Sequence, residues 1–100
     1  MDLFVYGTLQ SRGCNHGFLA GSIFMGIAST VPAYALVNVS AYKGLVAGDT
    51  SVSGEVWRVS AHTLRRLDEL EGVDSGLYIR EFVRLNGYPD GTVQAYMHPS

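Results

Sequence analysis

A single cysteine, Cys14, leaves this chain of one hundred residues without a partner for an intramolecular disulfide and without the thiolates of a zinc knuckle. Charge is equally sparse. Charged side chains make up 16% of the sequence, seven Lys and Arg against nine Asp and Glu, and the net of −2 comes with no basic run, which argues against a surface that tracks phosphates on DNA or RNA. No apolar stretch approaches the roughly 20 residues of a membrane-spanning helix, and Met1-Asp2-Leu3-Phe4-Val5-Tyr6 has neither the basic opening nor the long apolar run of a signal peptide. The expected location is therefore the cytoplasm, with no membrane and no nucleic acid as partner. His16, His62 and His98 lie far apart and share no metal-ligand spacing with Cys14, so no metal site is expected.

Hydrophobic residues, by contrast, are abundant at 47%, with six tyrosines and Trp57 among them. That composition belongs to a packed globule, and the length fits one domain over residues 1–100. A chain of this size buries roughly 60 to 70% of its unfolded surface, so each buried polar group in it should have a reason.

Most of the chain reads as strands. The apolar run 3–6 predicts a buried strand ended by Gly7, and 23–28 and 34–39 are strand-prone on either side of a turn at Pro32. The glycine-rich stretch 44–50 is expected to be irregular. Residues 52–60 form another strand candidate that places Glu55, Trp57 and Val59 on one face, and 77–86 and 92–97 flank a Pro-Asp-Gly turn, predicting a hairpin. Residues 61–71 alone read as helix, with Ser60 as N-cap and Gly72 just past the C-terminus. The expected architecture is α+β: one main helix against a small, curved, mainly antiparallel sheet that curls toward a barrel to manage its edges.

On a helical wheel at roughly 100° per residue from Leu64, Leu67 falls near 300°, Leu70 near 240° and Glu71 near 340°. Glu71 thus lies within the apolar arc. Arg65, Arg66, Asp68 and Glu69 spread over roughly 40° to 200° and read as a solvated face. Glu71 also occupies the last helical turn, where the macrodipole disfavours negative charge, so both position and burial should raise its pKa toward that of a general base. The structural alternative is a frayed end that swings to solvent or pairs with Arg80 or Arg84. The second candidate feature is Tyr6-Gly7-Thr8-Leu9 after the first strand, where glycine admits a ligand to the main chain and successive N–H groups can converge on a carboxylate or an oxyanion.

Val5-Tyr6-Gly7-Thr8-Leu9, followed by Gly13, Asn15-His16 and Leu19, resembles the opening of the gamma-glutamyl cyclotransferase-like family. Gly26, Thr30, Tyr34 and Leu36 continue in that style. Val52-Ser53-Gly54-Glu55-Val56-Trp57 resembles the family's central strand, and Leu67-Asp68-Glu69-Leu70-Glu71-Gly72 through Tyr78 and Arg80 resembles its helix-to-strand segment. The Asn-His pair and the Tyr-x-Arg lean toward the gamma-glutamylamine cyclotransferase branch. The resemblance implies Glu71 as acid/base, a substrate cradle of Tyr6, Gly7, Thr8 and Leu9, and the cyclisation of a small γ-glutamyl amide to 5-oxoproline with no cofactor. The loop donors would hold either the oxyanion or the substrate carboxylate.

Other residues compete for roles. Glu55 is a second candidate base if its strand face points inward, with a paired or edge-facing carboxylate as the alternative. Tyr78 and Tyr34 are candidates for the pocket wall, or core tyrosines with one satisfied hydroxyl. His16 is expected to cap the loop, and Cys14 is expected to be incidental. Two departures from the family pattern bear on substrate: Lys43 stands where members commonly have proline, and the chain stops at Ser100 where many continue, which predicts a more open pocket. A non-catalytic binding module, and an enzyme that removes a γ-glutamyl group from a biosynthetic intermediate, fit the same residues.

Overall fold

A computed structural model describes residues 1–39 and 42–99. Ser100, on which the expectation of a more open pocket rests, lies outside the described residues. Strand β1 (Asp2–Val5) leads through a loop and a short 3-10 helix (His16–Leu19) into β2 (Ile23–Ser29), β3 (Tyr34–Val39), β4 (Tyr42–Ala47) and β5 (Ser53–Arg58). Helix α1 (Ala61–Leu70) follows, then β6 (Ile79–Phe82) and β7 (Val93–Met97). Among the described residues seven strands join one curved, mostly antiparallel sheet in the order β2-β5-β1-β7-β4-β3, with β6 also on β7. The curl stops short of a barrel, because among the described residues β2 and β3 end the hydrogen-bonded order without pairing to each other.

After Asp2, which pairs with Arg58 at 2.8 Å, strand β1 is apolar because it is covered on both sides. Leu3 and Val5 belong to a core with Leu64 and Leu67 of α1, whereas Phe4 points the other way, to Val56, Val83 and Val93. Its partners are β5, antiparallel, and β7, parallel. Strand β6 lines one edge of β7 from Gln94 to Met97, so β1 and β4 must share the opposite edge, β1 along Val93–Ala95 and β4 at Met97. There the two strands part, and the chain leaves β1 into the Tyr6–Leu9 loop.

The glycine-rich stretch 44–50 is not wholly irregular: its first part lies in β4, which pairs with β3 along their whole length, from Tyr34 opposite Ala47 to Val39 opposite Tyr42. Gly44 is there for packing, since a Cβ would lie 2.8 Å from Val39 Cγ2 and 2.9 Å from His98 Cβ.

Helix α1 starts and stops where its ends are satisfied. The Ser60 hydroxyl accepts the Thr63 N–H at 3.1 Å, a cap of about 1 kcal/mol. At the other end Gly72 takes φ 64°, and the Gly72 and Val73 N–H groups donate to the Glu69 and Asp68 carbonyls at 3.1 and 3.0 Å. This closure leaves Glu71 as the C-cap, with helical backbone angles and its N–H on Leu67 O at 2.9 Å. Among the described residues no helix is long and apolar enough to cross a membrane.

Candidate active site

Where β1 and β4 part there is a cavity of about 380 Å³, lined by Tyr6, Gly7, Thr8 and Leu9 of the loop and by Glu71 and Tyr78. The loop side is built by a close backbone approach. The Asn15 N–H donates to Thr8 O at 3.0 Å and the Asn15 amide nitrogen to Thr8 Oγ1 at 3.0 Å, while a Cβ at Gly13 would fall 1.9 Å from Thr8 O. His16 caps the same loop, its Nδ1 3.0 Å from Leu9 O and its ring edge-on to Trp57. The loop's inner donors stay free: among the described residues, the N–H groups of Gly7, Thr8 and Leu9 meet no protein acceptor. Gly7 does not have a positive φ, and a Cβ there would touch nothing within 4 Å, so its conformation does not demand glycine. What the missing Cβ leaves open is space beside the main chain.

Within the cavity lining the Glu71 carboxyl is half-buried, and burial pushes it up from about 4.5 to about 7. Its place at the helix C-terminus acts in the same direction. Among the described residues it has no ion-pair partner. Arg80 is taken by Asp68 and by Gln94. Besides exposed Tyr42, three buried or half-buried phenols, Tyr6, Tyr78 and Tyr96, line the cavity, and the ionisation of these three is opposed first by burial and further by the Glu71 charge. All three are therefore neutral at ordinary pH, and each hydroxyl proton is directed elsewhere: Tyr6 to Tyr96 O, Tyr78 to Lys43 O at 2.8 Å, and Tyr96 to Asp68 Oδ1 at 2.6 Å. A carboxylate surrounded by neutral groups that do not donate to it keeps its affinity for a proton.

Two candidates lie elsewhere. Glu55 faces the outer side of the loop, where its Oε1 accepts from the Ser11 N–H at 2.8 Å, the Ser11 hydroxyl at 3.1 Å and Trp57 Nε1 at 3.1 Å. Burial raises its pKa in part, but those donors outweigh it and hold the carboxyl below its ordinary value, the wrong direction for a base at neutral pH. Tyr34 sits in the other core with Phe4 and Val56, its hydroxyl accepting the Arg84 N–H at 3.0 Å, and it does not line the cavity.

Asp68 corrects the wheel. It is half-buried, bound by Arg80 at 2.9 and 3.0 Å and by Tyr96, and so does not belong to the solvated face with Arg65, Arg66 and Glu69. Its angle gave no separate signal: at roughly 40° it lies as far from Leu64 as Arg66, near 200°, lies from Leu70. Tyr96 was missed as well, since nothing in the alternation of β7 distinguishes a cavity wall from plain core.

The family model described as gamma-glutamyl cyclotransferase, AIG2-like, matches residues 3–100. The chain belongs to this family. A Vibrio cholerae protein named "Putative gamma-glutamylcyclotransferase" is 44% identical over 96 residues, covering 96% of this chain and 80% of that one. The Escherichia coli gamma-glutamylcyclotransferase family protein YtfP is 32% identical over 98% of this chain and 82% of its own length. Among solved structures, the AIG2-like protein of Mus musculus superposes with a TM-score of 0.84 at 25% identity, over 98% of this chain and 76% of that one. Within the family's curved α+β fold, the cavity brings together the Tyr-Gly-Thr-Leu loop and the glutamate of Leu-Asp-x-x-Glu-Gly.

Proposed function

We propose that this member of the gamma-glutamyl cyclotransferase family, acting as one domain over residues 1–100, cyclises the γ-glutamyl group of a small amide to 5-oxoproline. The reading rests on one observation above all: an unpaired, half-buried carboxylate and a loop with unpaired main-chain N–H groups line one cavity large enough for a glutamyl group.

The steps balance within the substrate and one side chain. Glu71 takes a proton from the substrate α-ammonium, which beside its free α-carboxylate titrates above the roughly 7.7 to 8.0 of a peptide α-amine, and a carboxyl near 7 narrows the gap that an ordinary glutamate would leave. The freed amine attacks the γ-carbonyl carbon, forming a C–N bond and a tetrahedral oxyanion. Collapse breaks the bond to the leaving nitrogen, which takes back the proton held on Glu71. The ring nitrogen, cationic since the attack, then gives its surplus proton to the regenerated Glu71 carboxylate, which passes it to the released amine, leaving a neutral lactam. Nucleophile and electrophile belong to one molecule, so the protein's task is to hold the cyclising rotamer. The N–H groups of Gly7, Thr8 and Leu9 hold the oxyanion or the substrate α-carboxylate, while Tyr6 and Tyr78 shape the wall. No step calls for a metal or organic cofactor.

The resemblance to the gamma-glutamylamine branch favours an amine leaving group such as the lysine side chain. A Niallia circulans relative, 34% identical over 70% of this chain and 45% of its own length, is named a gamma-L-glutamyl-butirosin B gamma-glutamyl cyclotransferase, which supports a larger leaving group as the second reading. Incubation with γ-glutamyl-ε-lysine, γ-glutamyl amino acids and a γ-glutamyl aminoglycoside, with 5-oxoproline measured, separates these. Turnover should fall by about 10²- to 10⁴-fold in Glu71→Gln with the fold intact. Retained turnover would remove Glu71 from the role, and no 5-oxoproline from any substrate would leave a binding module.

A further inference from the structure

We propose that Asp68 is a positioning residue that fixes the direction of the Tyr96 hydroxyl proton, so that the phenol turns a lone pair and not its proton toward Glu71. The inference rests on Glu71 being the base of the proposed reaction. Asp68 and Glu71 lie three residues apart near the end of α1, and Tyr96 of β7 is bonded to Asp68 Oδ1 at 2.6 Å while also lining the cavity with Glu71, near enough for the Glu71 charge to oppose its ionisation. Arg80 of β6 holds both Asp68 oxygens, at 2.9 and 3.0 Å, and is itself held by Gln94 at 2.8 Å. This holds the Asp68 carboxyl in place with its Oδ1 aimed at the phenol.

The remaining groups on the cavity wall make the direction of this one proton matter. Tyr6, from the loop after β1, donates to Tyr96 O, and Tyr78, ahead of β6, donates to Lys43 O. From β4, Lys43 Nζ is held on Asn38 Oδ1 at 2.7 Å, and exposed Tyr42 reaches the cavity rim. His98, after β7, packs edge-on to Tyr78 with its ring centroid 6.4 Å away. Tyr96 is thus the buried donor whose proton would turn to Glu71 if its present acceptor were removed. A phenol donating to the carboxylate would stabilise the charged form and make Glu71 a weaker base.

The test follows Glu71 directly, by carbon NMR of the glutamate carboxyls across pH, with the Glu71 signal assigned by its loss in Glu71→Gln. In Tyr96→Phe the midpoint should stay where it is in the parent protein, since the lost proton never pointed at Glu71. In Asp68→Ala it should fall by about one pH unit or more, and in Asp68→Ala/Tyr96→Phe it should return. A rise in Tyr96→Phe would mean that Tyr96 donates to Glu71 already, and would overturn the assignment even if Asp68→Ala failed to fold. A midpoint unmoved in Asp68→Ala, or still low in the double variant because a released Arg80 has paired with Glu71, would overturn it too. The titration needs no turnover, so failure of the cyclisation assay counts against the proposed reaction alone, and normal turnover with unmoved midpoints counts against Asp68 alone.

Discussion

The Tyr6 hydroxyl accepts the Leu45 N–H at 3.1 Å while donating to Tyr96 O, so one phenol joins β4 to β7 at the point where β1 has left the sheet. The relationship ties substrate cradle to fold. Tyr6 opens the cavity loop, and its oxygen stands in for the ladder partner that Leu45 would otherwise lack. Tyr6→Phe should therefore leave a buried donor and a buried acceptor unpaired, at about 1–3 kcal/mol, or a drop in Tm of roughly 5–15 °C. Amide exchange at Leu45 should quicken in step. An unchanged Tm with Leu45 still protected would mean that β4 is held by its pairing with β3 alone.

The pH dependence of kcat/KM follows from the carboxyl near 7. Productive encounter needs Glu71 deprotonated and the substrate amine protonated, so the rate should rise with pH through about 7 and fall again above roughly 8, where the amine beside its free carboxylate loses its proton, giving a bell. An ordinary glutamate would place the acid limb near 4.5. Steady-state rates between pH 4 and 9 on a γ-glutamyl substrate decide between them, and an acid limb below pH 5.5 would contradict the description of Glu71 as desolvated and unpaired.

Periodicity made α1 and its two caps legible in the sequence, because Ser60, Gly72 and the Leu64–Leu67 stripe are local signals. Glu71 was legible for the same reason: its anomaly is a matter of angle within one helix. What escaped depends on contacts between distant elements. Gly44 reads as a loop residue until His98 and Val39 are seen against it. Asp68 reads as a solvated acid until β6 and β7 bring Arg80 and Tyr96 to it. Alternation put Glu55 and Trp57 on one face of β5 correctly, but could not say that the Ser11 donors wait on that face. Tyr34 is similar: strand periodicity separates two faces without revealing which one meets the cavity.

Stability should carry the cost of the Glu71 charge, with a definite sign. Between the ordinary value near 4.5 and the native value near 7 the folded chain holds a proton that the unfolded chain releases, so stability falls as pH rises through that window and levels off above it. Glu71→Gln is neutral throughout. The variant should match the parent at pH 4 and exceed it by about 2–3 kcal/mol at pH 8, the partial exposure of the carboxyl keeping the gap below its full linkage value. Urea denaturation at the two pH values measures this. A gap of equal size at both would mean that the substitution acts through packing and not through charge.

Two glycines of the loop should behave oppositely when given a methyl group. At Gly13 a Cβ would fall 1.9 Å from Thr8 O and 2.3 Å from Thr8 C, both main-chain atoms that cannot move without opening the loop. Gly13→Ala should lose several kcal/mol or dismantle the Tyr6–Leu9 turn. At Gly7 the Cβ would meet nothing within 4 Å and the backbone is not left-handed, so Gly7→Ala should change stability by less than about 1 kcal/mol, in either direction. The new methyl nevertheless stands beside the free N–H groups at the cavity wall, where it would hold a bound γ-glutamyl group off the main chain. A displacement on the order of 1 Å is enough to cost about 10²-fold in turnover. Gly7→Ala is therefore expected to keep the parent's Tm and lose kcat/KM, and full activity in that variant would show that substrate does not lie against this loop.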